Sequence, residues 1–200
     1  MTIIAFISQK GGVGKSTLSQ TLASEANKKK LSVLLADCDP QQSSSYQWNQ
    51  IKKKVRCRTF STVKEVWPLV SDYDLIIIDG PARTSQATLE IAQKADLIIQ
   101  PTGASRLDLV PAVKEFHALT KAGIPKKKLL FILSRISTQA EALASKEYLK
   151  EAGYNYCPVV LYEKASYRQA QNEGKTIAET PYKNLRKQAQ ELIRNLLKYL

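Results

Sequence analysis

Two hundred residues, 44% of them hydrophobic, suit one domain with helices around a single sheet; no Pro-, Gly- or Ser-rich run marks a linker and no apolar stretch approaches the roughly 18 residues of a membrane span. Thirty Lys and Arg against 18 Asp and Glu leave a net charge of +12, which points to an acidic partner, nucleic acid being the commonest. Three scattered cysteines and one histidine argue against zinc, iron–sulfur and His-based chemistry, and Met1 to Ser8 lacks the basic lead of a secretion signal, so a cytoplasmic protein is expected.

The first apolar run, Ile3 to Ser8, reads as a strand and leads into Gln9-Lys10-Gly11-Gly12-Val13-Gly14-Lys15-Ser16-Thr17, with a helix expected over Ser16 to Lys30. Strand, glycine-rich loop and helix in that order are what a phosphate-binding loop needs. Glycines let successive N–H groups turn inward around an anion, Lys15 supplies a mobile charge for the outer phosphates, and Ser16 offers a hydroxyl to magnesium. Such a loop usually opens on a glycine, where this chain has Gln9, and a second lysine, Lys10, stands five residues before Lys15. The bland alternative is a turn that binds nothing, but three glycines, a lysine and two hydroxyls are hard to assemble there by accident.

The second strand, Ser32 to Asp37, ends on Asp37 with Asp39 just beyond; the third is Val55 to Phe60, and the fourth, Asp74 to Asp79, ends on Asp79. One acid at a strand end caps a following helix as readily as it binds anything. Two beside a phosphate loop suit magnesium, which prefers octahedral oxygen coordination and keeps waters. Further strands are expected at Asp96 to Pro101 and Leu129 to Ser134, with helices over Asp108 to Ala122, which holds His117, and Ser137 to Ala152. The last helix sets Leu185, Ala189, Leu192, Ile193, Leu196, Leu197 and Leu200 against Lys187, Arg194 and Lys198. Near-continuous Val, Ile and Leu runs suit parallel strands buried on both faces. The alternation predicts an α/β fold, a doubly wound, mostly parallel sheet with helices on both faces, as one domain over 1–200 with ligands at the carboxyl ends of the strands. Lysine triplets at 28–30, 52–54 and 126–128 read as solvated helix ends or loops.

The runs KGGVGKST, ADCDPQ and IIIDGPA resemble the deviant Walker A, A′ and Walker B motifs of the ParA and MinD group of ATPases, over most of the chain. The DPQ sequence, and Asp96 to Thr102 leading to Ser105 and Asp108, are similar to the short ParA partition proteins; the chain begins at its first strand, so no N-terminal helix-turn-helix domain is expected. The resemblance implies ATP or ADP with Mg2+: Lys15 on the β and γ phosphates, Ser16 on magnesium, Thr17 on the α phosphate, and Gly11, Gly12, Val13 and Gly14 as the backbone cradle. Lys10 matches the signature lysine that reaches the partner's nucleotide in an ATP-dependent homodimer, where it neutralises developing charge only after association. Asp39 matches the acid that orients water, and Asp37 and Asp79 match the acids of the magnesium shell. Adenine contacts fall to loops near Arg135 and Pro158 to Tyr162. Asp79-Gly80-Pro81-Ala82 departs from the family's more usual Asp-Thr-Pro form.

The implied activity is slow hydrolysis of ATP to ADP and phosphate, stimulated by a centromere- or cargo-binding adaptor. ParA proteins contact nonspecific DNA as ATP-bound dimers through the region before and along the final helix. That ranks Lys164, Arg168, Lys183, Arg186 and Lys187 ahead of the triplets and implies phosphate contacts and a nucleoid-associated location. A MinD-like membrane-positioning ATPase is the alternative raised by the amphipathic last helix; such helices are more often core elements, so stable membrane association is not expected. Among metabolic P-loop enzymes, a carboxylate ligase has no need of Lys10, and a nitrogenase-type reductase needs paired cysteine ligands that the spacing does not offer.

Overall fold

The computed structural model describes residues 1–81 and 85–199. Its strands are β1 (Thr2–Phe6), β2 (Val33–Asp37), β3 (Arg56–Thr59), β4 (Leu75–Asp79), β5 (Leu97–Thr102), β6 (Leu129–Ile136), β7 (Asn155–Tyr156) and β8 (Leu161–Tyr162). The helices are α1 (Lys15–Lys28), α2 (Ser44–Lys52), α3 (Ser85–Lys94), α4 (Arg106–Lys121), α5 (Gln139–Glu151), α6 (Ala165–Asn172) and α7 (Lys183–Leu196). The strands form one parallel sheet in the order β3-β2-β4-β1-β5-β6-β7, with β8 alongside the end of β6.

Each central strand feeds two cores, which is why its sequence is apolar throughout rather than alternating. Ile3, Ala5 and Ile7 pack with Ile91 of α3, Phe116 of α4 and Leu149 of α5. Ile4 and Phe6 face the other way, toward Leu18 and Leu22 of α1, Trp48 of α2, Tyr167 of α6 and Leu192 of α7. The sheet is therefore doubly wound, as the alternation predicts. Winding runs from β1 through α1 to β2 on one side, while β4 through α3 to β5 carries the chain across β1 to the other. A crevice opens beside the carboxyl end of β1, where the strand order reverses.

The expected strands match in order and nearly in extent. The elements not named from sequence include α2, α3, α6 and the two-residue β7 and β8. In α2 only Ser45, Trp48 and Asn49 are buried, so its apolar stripe is too thin to read. The sheet ends on β3, which exposes Arg56 and Arg58, and on the two-residue β7. Helix α7 buries Ala189, Leu192, Ile193 and Leu196 against the sheet, so its apolar face is committed to the core. No described helix is long and apolar enough to cross a membrane. Two residues singled out by sequence, Ala82 and Leu200, lie outside the described residues.

Candidate nucleotide site

The loop after β1 turns into α1 at Gly14, whose φ of 103° is left-handed; a Cβ there would lie 2.8 Å from Ser134 Oγ. Only glycine satisfies both constraints. The N-terminus of α1, with its unpaired amides and positive dipole end, then faces a cleft of about 880 Å3. Gly11, Gly12, Gly14, Lys15, Ser16 and Thr17 line that cleft together with Asp37, Asp39, Asp79 and Arg135. Val13 is buried on the loop's other side, against α4. Gly80 follows β4 with its N–H on the Phe6 carbonyl at 2.9 Å, and a Cβ would sit 2.7 Å from that oxygen. The departure from threonine is thus a packing requirement here.

Asp37 and Asp79 are register partners on adjacent strands, and their surroundings divide their labour. Asp37 accepts the amides of Ser45 (2.9 Å), Tyr46 (3.0 Å) and Asp39 (3.2 Å), so it caps α2 and has little capacity left. Burial still raises its pKa against those three amides. Asp79 accepts one bond, from Ser45 Oγ at 2.7 Å, and its Oδ1 is buried without a partner among the described residues. Burial pushes its carboxyl up to about 6, against the downward pull of the Ser45 and Ser16 hydroxyls and, more weakly, of the Lys15 charge. A hydroxyl and a carboxylate with an unused buried oxygen, in a wet cleft, form a donor set that fits Mg2+ held partly through water. Asp39 stands half exposed at the cleft wall, where its Oδ1 accepts the Gln42 amide at 3.3 Å.

Lys10 is not in the cleft. It lies on the α4 flank of the loop, exposed and ion-paired with Asp108. Partial burial of Asp108 opposes a low pKa, but Lys10 and the Ser105 hydroxyl, 2.7 Å away, hold it below the usual carboxylate range. Behind this pair a cavity of about 10 Å3 is lined by Gln9, Lys10, Val13, Gln100, Asp108 and Glu115, among others. Gln100 Nε2 donates to Glu115 Oε2 at 2.5 Å, leaving Gln100 Oε1 and Glu115 Oε1 buried and unpaired among the described residues. Burial pushes Glu115 up to about 6, although the Gln9 amide groups and the Lys15 charge pull it down.

The outer wall of the cleft is Leu161, Tyr162 and Glu163, with Lys164, Tyr167, Arg168 and Gln171 at α6. Arg135, at φ 58°, reaches Gly12 O at 2.5 Å and Glu163 at 3.2 Å, and Arg168 shares Glu163 at 2.7 Å. Of the stretch from Pro158 to Tyr162 that sequence offered, Tyr162 lines the cleft, while Pro158 is exposed outside the lining, its carbonyl accepting Lys146 Nζ at 2.9 Å. Of the five expected nucleic-acid contacts, Lys164 and Arg168 stand at the cleft wall and Lys183, Arg186 and Lys187 lie on the first turns of α7, which Tyr167 of α6 joins by donating its hydroxyl to the Leu185 carbonyl at 2.9 Å. Two lysine triplets converge. Lys28 and Lys54 both pair with Glu179, and Asn27 Nδ2 bonds the Lys54 carbonyl at 3.0 Å.

Sequence reasoning missed Ser45, Gln20, Glu163, Gln171 and Glu115. For Ser45 a signal existed, since a strand-end acid before a serine run is a helix-start pattern; the others come together only in the fold.

The family model described as the CobQ/CobB/MinD/ParA nucleotide binding domain matches residues 4–177. The chain is 29% identical over 197 residues to maintenance of carboxysome distribution protein A of Gloeobacter kilaueensis, covering 92% of this chain and 87% of that one. It is 26% identical over 114 residues to protein ParA of Rhizobium radiobacter, covering 54% and 51%. Among solved structures it resembles the Cyanothece McdA–ATP complex (22% identity, 98% and 96% covered, TM-score 0.74) and the MinC:MinD complex of Aquifex aeolicus (16%, 99% and 96%, TM-score 0.80). At these identities the structural likenesses establish the fold.

Proposed function

This chain belongs to the CobQ/CobB/MinD/ParA nucleotide-binding family, and from that premise we propose that it is a ParA-type ATPase that dimerises on ATP, binds nonspecific DNA and positions a cargo with an adaptor protein. One observation carries the reading: the cradle, Lys15, the Ser16 hydroxyl, the spare oxygen of Asp79 and the half-exposed Asp39 all converge on one cleft. The relatives named for carboxysome distribution and for ParA supply the positioning role.

In this reading the amides from Gly11 to Gly14 and the end of α1 hold the phosphates, with Lys15 on the β and γ groups and Thr17 on the α group. Ser16 and Asp79 would hold magnesium, with Asp37 keeping α2 and Ser45 in place behind them. The ion would supply charge neutralisation across the phosphates. Asp39 places a water in line, a task of orientation rather than strong basicity. Lys10 exchanges Asp108 for the partner's nucleotide, so hydrolysis waits for association. Arg135 borders the base. The excess positive charge, at Lys164, Arg168, Lys183, Arg186 and Lys187, meets DNA phosphates and loses affinity steeply with salt.

The test compares wild type with Lys10→Ala and Lys15→Ala for ATP-dependent sedimentation as a dimer, for DNA retardation, and for flotation with liposomes. ATP-dependent dimers and DNA complexes that vanish in both variants support the proposal. DNA binding indifferent to ATP and to both lysines would sink it, and ATP-dependent flotation without DNA binding would replace it with membrane positioning.

A further inference from the structure

We propose that Gln171 senses the nucleotide through the single hydroxyl proton of Thr17 and positions α6 accordingly; the inference rests on the phosphate-site reading above. Five side chains, joined by four hydrogen bonds, run from α6 to β4. Thr17 Oγ1 donates to Gln171 Oε1 at 3.0 Å, and Gln171 Nε2 donates to Gln20 Oε1 at 3.1 Å. Gln20 Nε2 lies 3.4 Å from both Ser45 Oγ and the Ser44 carbonyl, and Ser45 Oγ donates to Asp79 at 2.7 Å. The relay runs along the cleft wall, where Thr17, Gln20 and Gln171 are all lining residues. Gln20 and Ser45 are buried, so its inner half cannot exchange these partners for water.

A hydroxyl donates one proton, and a phosphate oxygen can only accept. When Thr17 turns its proton to the α phosphate, Gln171 Oε1 loses its donor. One of the two side-chain links from α1 to α6, the one between residues 154 apart in sequence, is then broken, and Gln171 is left with Gln20 alone. Helix α6 carries Arg168 and follows Lys164, the two cations at the cleft wall, so phosphate occupancy changes how firmly those cations are held. Gln171 is thus an internal competitor for Thr17. Its removal strengthens nucleotide binding and uncouples α6 from the cleft.

The experiment titrates a fluorescent ADP against wild type, Gln171→Leu, Thr17→Val and the double variant, and follows amide hydrogen exchange over residues 165–172 with and without ADP. Gln171→Leu is expected to tighten ADP binding about 2- to 10-fold, the span of one neutral hydrogen bond. In the Thr17→Val background the same change should shift affinity by less than about 1.5-fold, because the coupling is gone. Exchange over α6 should rise with ADP in wild type and start high in Gln171→Leu. Equal effects of Gln171→Leu in both backgrounds, or wild-type α6 exchange indifferent to ADP, would overturn the proposal. The wild-type exchange measurement needs no variant, so misfolding cannot obscure it. Unaltered ADP affinity in Lys15→Ala would instead remove the phosphate-site reading itself, and the proposal with it.

Discussion

The phosphate loop has two flanks, and they are built on opposite plans. Toward α2 and α6, Asp37, Ser45, Gln20, Thr17 and Gln171 are knitted together by hydrogen bonds that fix the shape of the cleft. Toward α4, Lys10 is held by one exposed ion pair, over a small cavity where Gln100 and Glu115 each leave a buried oxygen unpaired among the described residues. The first flank is preorganised, with its geometry ready before a ligand arrives. The second is poised: an exposed ion pair contributes at most about 1 kcal/mol, so Lys10 can leave Asp108 at little cost.

Breaking each flank separately tests that contrast. The largest effect is expected from Lys10→Ala, which should lower ATP turnover about a thousandfold, the worth of a cation supplied in trans, while a single chain's nucleotide affinity changes less than about threefold. Steady-state ATPase and equilibrium titration read the two quantities, and a parallel loss of both would place Lys10 in its own chain's cleft. Next, Ser45→Ala strips Asp79 of its described hydrogen bond and should destabilise the fold by up to about 3 kcal/mol, visible as a melting temperature several degrees lower. On the poised flank, Glu115 favours the proton more in the fold than in the unfolded chain, whose carboxyl titrates near 4.5. Its stabilising contribution is therefore complete below about pH 4.5 and is lost as the pH rises through about 6, a decline of about 2 kcal/mol. Urea unfolding at pH 4.5 and 6.5 should show that decline in wild type and show it reduced by this amount in Glu115→Gln. The smallest effect is Asp108→Asn, under about 1 kcal/mol in stability. It should still lower the ATP concentration needed for dimers, since Lys10 is released in advance.

The preorganised flank was legible in part and the poised one hardly at all. Loop, strand ends and helix start are local patterns, so Gly14, Lys15, Ser16, Asp37 and Asp79 could be placed from sequence alone. The division between Asp37 and Asp79 could not, because it depends on α2, a polar helix whose first turn meets Asp37 across the β2–α2 loop. Gln20 and Gln171 are 151 residues apart and carry no motif; only the packing of α6 beside α1 makes them partners. Glu115 lies within a helix that sequence placed correctly, yet its burial beneath Gln9 is a product of tertiary packing. Of the expected stretch from Pro158 to Tyr162, the fold brings Tyr162 to the cleft lining and leaves Pro158 outside it. A turn-forming proline near the right loop says nothing about which side of that loop faces the cleft.

The two borders of the sheet set a rule for how copies can associate. Arg56 and Arg58 stand on the outer strand at one border, and the other is only two residues long. A neighbour trying to continue the ladder would meet guanidinium charge on the first side and almost no backbone to pair with on the second. Fibre growth by strand addition is thereby discouraged, and higher-order assembly is left to contacts between helices and loops.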